Sequence, residues 1–97
     1  MNVLGFTFVV AGADSQWFPL PPTGRGDNAP QSILSVTNLS STDGAYVTVG
    51  PQLVVADSGG TSVPAGETVT VDLNGSPAFA VISATSNAVP LAIAVGN

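Results

Sequence analysis

Carboxylates are nearly the only side chains in this sequence that could do acid–base or metal chemistry. The 97 residues include no histidine, cysteine or lysine, and the charged residues are Asp14, Asp27, Asp43, Asp57, Glu67, Asp72 and Arg25. Paired carboxylates can hydrolyse glycosides when a cleft raises the pKa of one of them, and aspartates with backbone carbonyls can bind calcium. No Asp-rich loop with calcium-binding spacing occurs, and no pattern marks a cleft. We therefore expect no enzymatic activity, no cofactor and no metal.

The remaining polar residues do not form a catalytic set either. Serines are plentiful, but no histidine or lysine is present to activate one of them. A single arginine cannot neutralise the phosphates of a nucleic acid or hold the chain on an anionic membrane. We therefore expect neither nucleic acid nor a membrane as a partner.

Composition indicates a protein that binds other protein surfaces. Hydrophobic residues make up 44% of the chain and charged residues 7%, against about 25% charged in a typical soluble domain. So few charges predict that part of the apolar surface meets another chain, most simply in a homo-oligomer such as a dimer or trimer.

The elements that must position any site are short strands. Val, Thr, Ser, Gly and Pro are common, and residues that favour helices are scarce. Alternating patterns predict strands over 32–38, 45–49, 68–73, 78–84 and 91–95, with a shorter candidate at 53–56. In 68–73, Val69, Val71 and Leu73 should face inward. The chain is predicted to be one domain over 1–97, an all-β antiparallel sandwich of jelly-roll or Ig-like type.

The first 13 residues are apolar, but they lack the positive start and the length of a secretory signal. They are predicted to form a strand with Leu4, Phe6, Phe8 and Val10 on one face. Turns are predicted at Thr42-Asp43-Gly44 and at Leu73-Asn74-Gly75, which carry hairpin dipeptides. A further turn is predicted at Val63-Pro64-Ala65-Gly66.

Residues 14–30 contain four prolines and predict an extended proline-rich arm. Trp17, Phe18 and Leu20 are the candidate apolar anchors of this arm, and Arg25 is its candidate polar contact, for example with a carboxylate on a neighbouring copy. Arg25-Gly26-Asp27 matches the integrin-binding tripeptide and is interpreted as a solvated turn.

Two further patterns bear on partners. Ala92 and Ala94 alternate with Leu91, Ile93 and Val95, so both faces of the last strand are apolar. Small side chains on the second face would let another sheet or subunit approach closely. Asn38-Leu39-Ser40 and Asn74-Gly75-Ser76 match the glycosylation sequon, which is meaningful only in a eukaryotic secretory setting.

Four segments resemble the short virion structural proteins of tailed bacteriophages. The similarity spans about residues 32–97, leaves out the arm, and is carried by LSVTN at 34–38, YVTVG at 46–50, VPAGET at 63–68 and LAIAVG at 91–96. The resemblance implies a β-sandwich that decorates or cements a capsid, often as a symmetric oligomer.

From these observations we expect a homo-oligomeric decoration or cement protein on the capsid exterior. Its partner would be the major capsid protein, and it would bridge neighbouring copies of that protein. Two alternatives stay open. One is a receptor- or glycan-binding module of a tail or surface fibre, with Trp17 or Tyr46 stacking on a sugar. The other is a head-to-tail connector or tail-tube component.

Overall fold

A computed structural model describes residues 2–21 and 32–97, which form eight strands and no helix. The strands are β1 (Val3–Ala11), β2 (Gln16–Pro19), β3 (Ile33–Asn38), β4 (Ala45–Gly50), β5 (Thr61–Val63), β6 (Thr68–Asp72), β7 (Ala78–Ser83) and β8 (Val89–Gly96). Within the described ranges, no helix is long and apolar enough to cross a membrane.

The strands form two four-stranded antiparallel sheets. Sheet A has the order β1-β8-β3-β6 and sheet B the order β2-β7-β4-β5. Strand β1 pairs with β8, β2 with β7, β3 with β6 and β4 with β5. The chain is thus one long antiparallel hairpin folded over on itself, and the β3–β8 and β4–β7 pairings complete the sheets. This is jelly-roll topology, which decides between the two sandwich types that the sequence allowed.

The core lies between the sheets and is built from the inward positions of both. Phe79 is its largest fully buried side chain, with Leu34, Leu73, Leu91 and Ile93 also fully buried. Val69 and Val71 pack against this cluster from β6. The predicted inward face of 68–73 is therefore confirmed.

Two of the three predicted turns formed, and none of the three joins neighbouring strands of one sheet. Asp43 and Gly44 lie in an irregular connection from β3 to β4, which belong to different sheets, so the hairpin predicted there is wrong. Asn74 and Gly75 both have positive φ, and the Ser76 N–H donates to the Leu73 carbonyl at 2.8 Å. This turn joins β6 to β7, which belong to different sheets, so it carries the chain across the sandwich. In the predicted turn after β5, the Glu67 N–H donates to the Pro64 carbonyl at 3.1 Å, one residue later than expected.

Three sequence expectations need correction. The candidate strand at 53–56 is irregular, and Leu53 there is exposed with positive φ. β5 was not predicted, because three residues are too few to show alternation. The first part of the predicted arm is a strand, since Gln16–Pro19 pairs with β7. Pro19 is tolerated because β2 lies at a sheet edge, where a missing N–H costs little. The rest of the arm, from residue 22 onward, lies outside the described residues.

Candidate functional site: an apolar strip on the outer face of sheet A

Strand β1 carries its largest side chains on the solvent side. Val9 and Ala11 point into the core, whereas Phe6, Phe8 and Val10 are 53%, 65% and 54% exposed. The Phe6 and Phe8 rings pack edge to face, with centroids 4.8 Å apart and an angle of 88° between their planes. Contiguous exposed apolar surface of this kind marks an interaction site more often than scattered apolar residues do.

The neighbouring strand extends this surface. Ala94 lies opposite Phe6 in the register, Ala92 opposite Phe8 and Pro90 opposite Val10. We call these six outward residues of β1 and β8 the apolar strip: Phe6, Phe8, Val10, Pro90, Ala92 and Ala94. Because the alanine side chains are short, the β8 half of the strip is low and a partner can approach closely there.

The other half of the same face is polar. Ser35 and Thr37 of β3 lie opposite Ala94 and Ala92, and Thr68 and Thr70 of β6 lie beyond them. The hydroxyls of Thr37 and Thr68 are 2.8 Å apart and hydrogen-bonded. The outer face of sheet A therefore has an apolar edge at β1 and a hydroxyl-rich edge at β6.

A groove lies next to the strip, on the side of the sandwich where the edge strands β1 and β2 run. It has a volume of about 240 Å³ and is lined by Thr7, Phe8, Val9, Phe18, Pro19, Leu20 and Pro21. Phe8 belongs to both the strip and the groove. The lining is almost entirely apolar, which gives the groove little to hold a polar ligand in one orientation.

The structure separates the residues predicted to contact a partner. Ala92 and Ala94 lie in the apolar strip, half-buried. Phe18 stacks on Phe79 at 5.6 Å between centroids, and both Phe18 and Leu20 pack against the core. Their apolar area is largely used within the sandwich, so they are not free anchors on an arm.

Trp17, the third predicted anchor, points to the other face of β2. It lies opposite Ala80 on the outer side of sheet B and is half-buried. Arg25 lies outside the described residues, as does the Arg25-Gly26-Asp27 tripeptide.

The outer face of sheet B is covered by the chain itself. Residues 51–60 connect β4 to β5 and lie on this face. A Cβ atom on Gly50 would stand 2.8 Å from the Val54 side chain, and one on Gly60 would collide with Thr48. The Ala56 N–H donates to Ser15 Oγ at 2.8 Å, which fixes the segment beside the start of β2.

The outward alanines of β7 are shielded from solvent on this face. Ala78 and Ala80 are fully buried although they lie on the outer face of sheet B, since they alternate with the core residues Phe79 and Val81. The apolar second face of β7 is therefore satisfied within the domain. No segment of residues 2–21 or 32–97 covers the apolar second face of β8 in the same way.

Polar side chains gather at one end of the sandwich around Asp43. Its carboxylate accepts hydrogen bonds from Thr42 Oγ1 at 3.0 Å, Thr85 Oγ1 at 2.9 Å and Asn87 Nδ2 at 3.3 Å. These donors lower the pKa of Asp43, with Thr85 contributing most, because hydrogen bonds to a carboxylate favour its charged form. A lowered pKa suits a structural contact and is opposite to what a general acid needs.

Asn38 links this end of the sandwich to the core. It is 1% exposed, and its Nδ2 donates to the carbonyls of Asp43 and Val63 at 2.8 and 3.0 Å while its Oδ1 accepts from the Ser40 N–H at 2.8 Å. The Asn38 sequon is therefore a turn-forming structural motif with an inaccessible amide. In the described ranges no cluster of acidic residues is arranged to hold a metal ion.

Sequence reasoning missed the aromatic half of the strip. Phe6, Phe8 and Val10 were placed on one face of a strand, but nothing in β1 says which face is inside. A signal was available in the sequence. Both faces of β1 are apolar, and β8 also carries alanines on its second face, so one apolar face of this pair of strands had to lie outside the core.

Comparisons with known proteins give little beyond the fold. No protein-family profile matches the chain, and no curated protein matches it. Among solved structures, an RmlC-like cupin protein from Desulfovibrio desulfuricans is 21% identical, with a TM-score of 0.39, over 97% of this chain and 76% of that chain. The Tobacco streak virus coat protein is 12% identical, with a TM-score of 0.38, over 96% and 86% of the two chains. At these levels of similarity neither protein says what this chain does.

Proposed function

We propose that this chain is a non-enzymatic structural protein of a virion, a decoration or cement protein on the capsid exterior that bridges neighbouring major capsid proteins. The observation that carries the proposal is the apolar strip, because it is an open surface that the fold does not need for its own core. One solved structure with a similar fold is a virus coat protein, but at a TM-score of 0.38 that likeness does not carry the proposal.

The strip would contribute free energy to binding a protein surface. Phe6, Phe8 and Val10 are each more than half exposed, and fully burying a large apolar side chain is worth roughly 1.5–3 kcal/mol. Alanines at the β8 half allow close approach without the entropic cost of ordering long side chains. A flat, uncharged contact of this kind fits a protein partner better than a small molecule, which needs a concave site with placed polar groups.

Bridging strengthens a shell by mass action. A protein that binds the assembled lattice, and not the separated subunits, shifts the equilibrium toward the lattice. The rigid sandwich serves as the spacer between two contacts. The resemblance of residues 32–97 to small virion proteins of tailed bacteriophages supports the phage setting, and the scarcity of basic residues suits a position away from packaged DNA.

A co-sedimentation experiment tests the proposal. Shells are assembled from the major capsid protein encoded in the same genome and mixed with the parent protein or with a Phe6→Ser/Phe8→Ser variant. The parent should sediment with the shells, and the variant should bind at least about tenfold more weakly, since losing a few kcal/mol of apolar contact costs more than that factor. Thr68→Ser/Thr70→Ser, on the polar half of the same face, is the matched control. Equal binding by parent and strip variant would contradict the assignment of the strip, and no binding by the parent would contradict the decoration role.

The alternatives lack a comparable observation. A glycan-binding module would need an exposed ring beside polar groups, but Trp17 and Tyr46 are both half-buried. A connector or tail-tube component should assemble into rings, which electron microscopy of the purified protein would reveal.

A further inference from the structure

The four edge strands of the described sandwich differ in how well they are protected against pairing with another chain. β5 has three residues, and β2 has four and contains Pro19. β6 has five residues, with Thr68, Thr70 and Asp72 exposed. Short length, proline and charge are the usual devices that stop an edge from adding a strand.

β1 has almost none of these devices. It runs for nine residues, Val3–Ala11, with no charge and no proline. Its only irregularity is a register shift between Val3 and Gly5, so pairing with β8 is regular from Gly5 to Ala11. One row of backbone N–H and C=O groups on this stretch is not used by β8, and that row is a ready template for another strand.

We infer that β1 pairs antiparallel with β1 of a second copy of this chain, joining the two A sheets into one eight-stranded sheet. A two-fold axis through the middle of the regular stretch lies at Phe8, so Phe8 would face Phe8 of the second copy and Phe6 would face Val10. All outward cross-strand contacts are then apolar, and aromatic pairs of this kind are among the more stabilising ones in sheets.

Charge favours a second copy at this edge over the other edge of the same sheet. Two chains of net charge −5 repel each other, and β1 offers a long surface without charge. At β6, pairing would bring the exposed, charged Asp72 of each copy to the edge of the other. Because the contact uses the same strand of both copies, it closes as a dimer and does not propagate into fibres.

The position of the groove is consistent with a second copy at the β1 edge. It runs between β1 and β2, and it is lined by Phe8, Val9, Phe18 and Leu20 among others. A second copy paired at β1 would bring its own β2 toward this groove and shield apolar surface that otherwise faces water. One partner would thus cover both the exposed edge of β1 and the groove.

The inference deepens the proposed function. Pairing at β1 would place two apolar strips side by side at the centre of one continuous sheet, so a dimer would present twice the contact area to a shell. Phe6, Phe8 and Val10 would take part in both contacts, so the strip variant does not separate them. A change at Thr7 blocks the β1 edge and leaves the strip in place, so dimer formation can be tested apart from shell binding.

Light scattering over a dilution series is the first measurement, with Thr7→Lys as the blocking variant. Thr7 is half-buried, points to the inner side of β1 and lines the groove, so a lysine there obstructs strand addition as natural inward charges do and leaves the outer strip unchanged. The parent should have twice the mass of the chain, and Thr7→Lys should have the mass of the monomer. Thr70→Lys adds the same charge to the protected edge and should remain dimeric. Circular dichroism checks that both variants are folded.

Amide hydrogen exchange on the parent decides the geometry without any variant. In the dimer, the β1 amides that do not bond to β8 should be protected, and dilution should remove that protection. A monomer at every concentration would overturn the inference, as would a dimer in which these amides exchange freely. Shell binding by a monomeric parent would leave the decoration role standing while the dimer fails, and a dimer that ignores shells would do the reverse.

Discussion

The outer faces of sheets A and B both carry apolar residues, but they differ in whether the described chain covers those residues. Both β7 and β8 carry alanines on the side away from the core, and the sequence alone makes the two strands look equivalent. On sheet B, residues 51–60 pack on the outer side of β4 at Gly50 and Thr48, and their neighbours in the register, Ala78 and Ala80, are fully buried. On sheet A, the described chain provides no such cover, and Phe6, Phe8 and Val10 stand exposed. Small apolar side chains on an outer face therefore indicate that something packs there, and only the path of the chain tells whether the domain supplies it.

The most disruptive way to test this contrast is to place one carboxylate on each face. Ala80→Asp would bury a charge under the cover of sheet B with no partner, which costs about 3–5 kcal/mol of unfolding free energy. Ala94→Asp, on the outer face of sheet A, should cost less than about 1 kcal/mol, as most surface changes do. Urea unfolding at a protein concentration low enough to keep the chain monomeric measures both. Equal losses would mean that the two faces are equally closed.

A gentler test acts on the covering segment itself. A methyl group at Gly60 would meet the Thr48 side chain and lie 2.9 Å from the Val47 carbonyl, so Gly60→Ala should destabilise the fold by about 1–3 kcal/mol, as overpacking does. Gly12→Ala is the matched control, because a Cβ atom there has nothing within 4 Å. Thermal unfolding compares them. An unchanged melting temperature for Gly60→Ala would show that residues 51–60 do not press on sheet B.

Much of the fold could be predicted from the sequence, and the errors have physical causes. Alternation in 68–73 placed Val69 and Val71 correctly because one face of β6 is buried and the other is wet. The strand β2 was missed because Pro19 and the prolines that follow it suggest an arm, whereas an edge strand accepts proline where no partner needs an N–H. Asn74-Gly75 predicted the turn but not which strands it joins, since a tight turn can connect strands of different sheets.

The candidate site was harder to predict than the fold. Ala92 and Ala94 were predicted as contact residues because small side chains on a second face are visible in the sequence. Phe6 and Phe8 were placed on one face of β1 but were not selected, because both faces of that strand are apolar and the sequence does not show which one is buried. Phe18 and Leu20 were selected for their size, but in the structure they pack against the core.

The smallest expected effect concerns the end of the sandwich, where neither outer face is involved. Asp43 lies in the connection between β3 and β4 and accepts hydrogen bonds from Thr85 and Asn87 in the connection between β7 and β8. Both connections cross between the sheets, so this contact ties the two sheets together independently of what covers them. Its charged form makes the bonds, and its pKa is lowered from the ordinary value of 3.8.

The sign of the pH effect follows from that direction. A carboxylate whose pKa is lower in the folded state contributes stability above its unfolded pKa, and the contribution is lost as pH falls through the folded pKa. Asp43→Asn should therefore lower the melting temperature slightly at neutral pH and flatten its fall in acid. The Asp43 carboxylate is exposed to solvent, so the effect should be small. Asp57→Asn is the control, since among the described residues the Asp57 carboxylate accepts a hydrogen bond within its own turn alone, from the Gly59 N–H. If both variants showed the same acid dependence, the link between the two connections would add nothing that a local turn does not, and cohesion of the sheets would rest on the core alone.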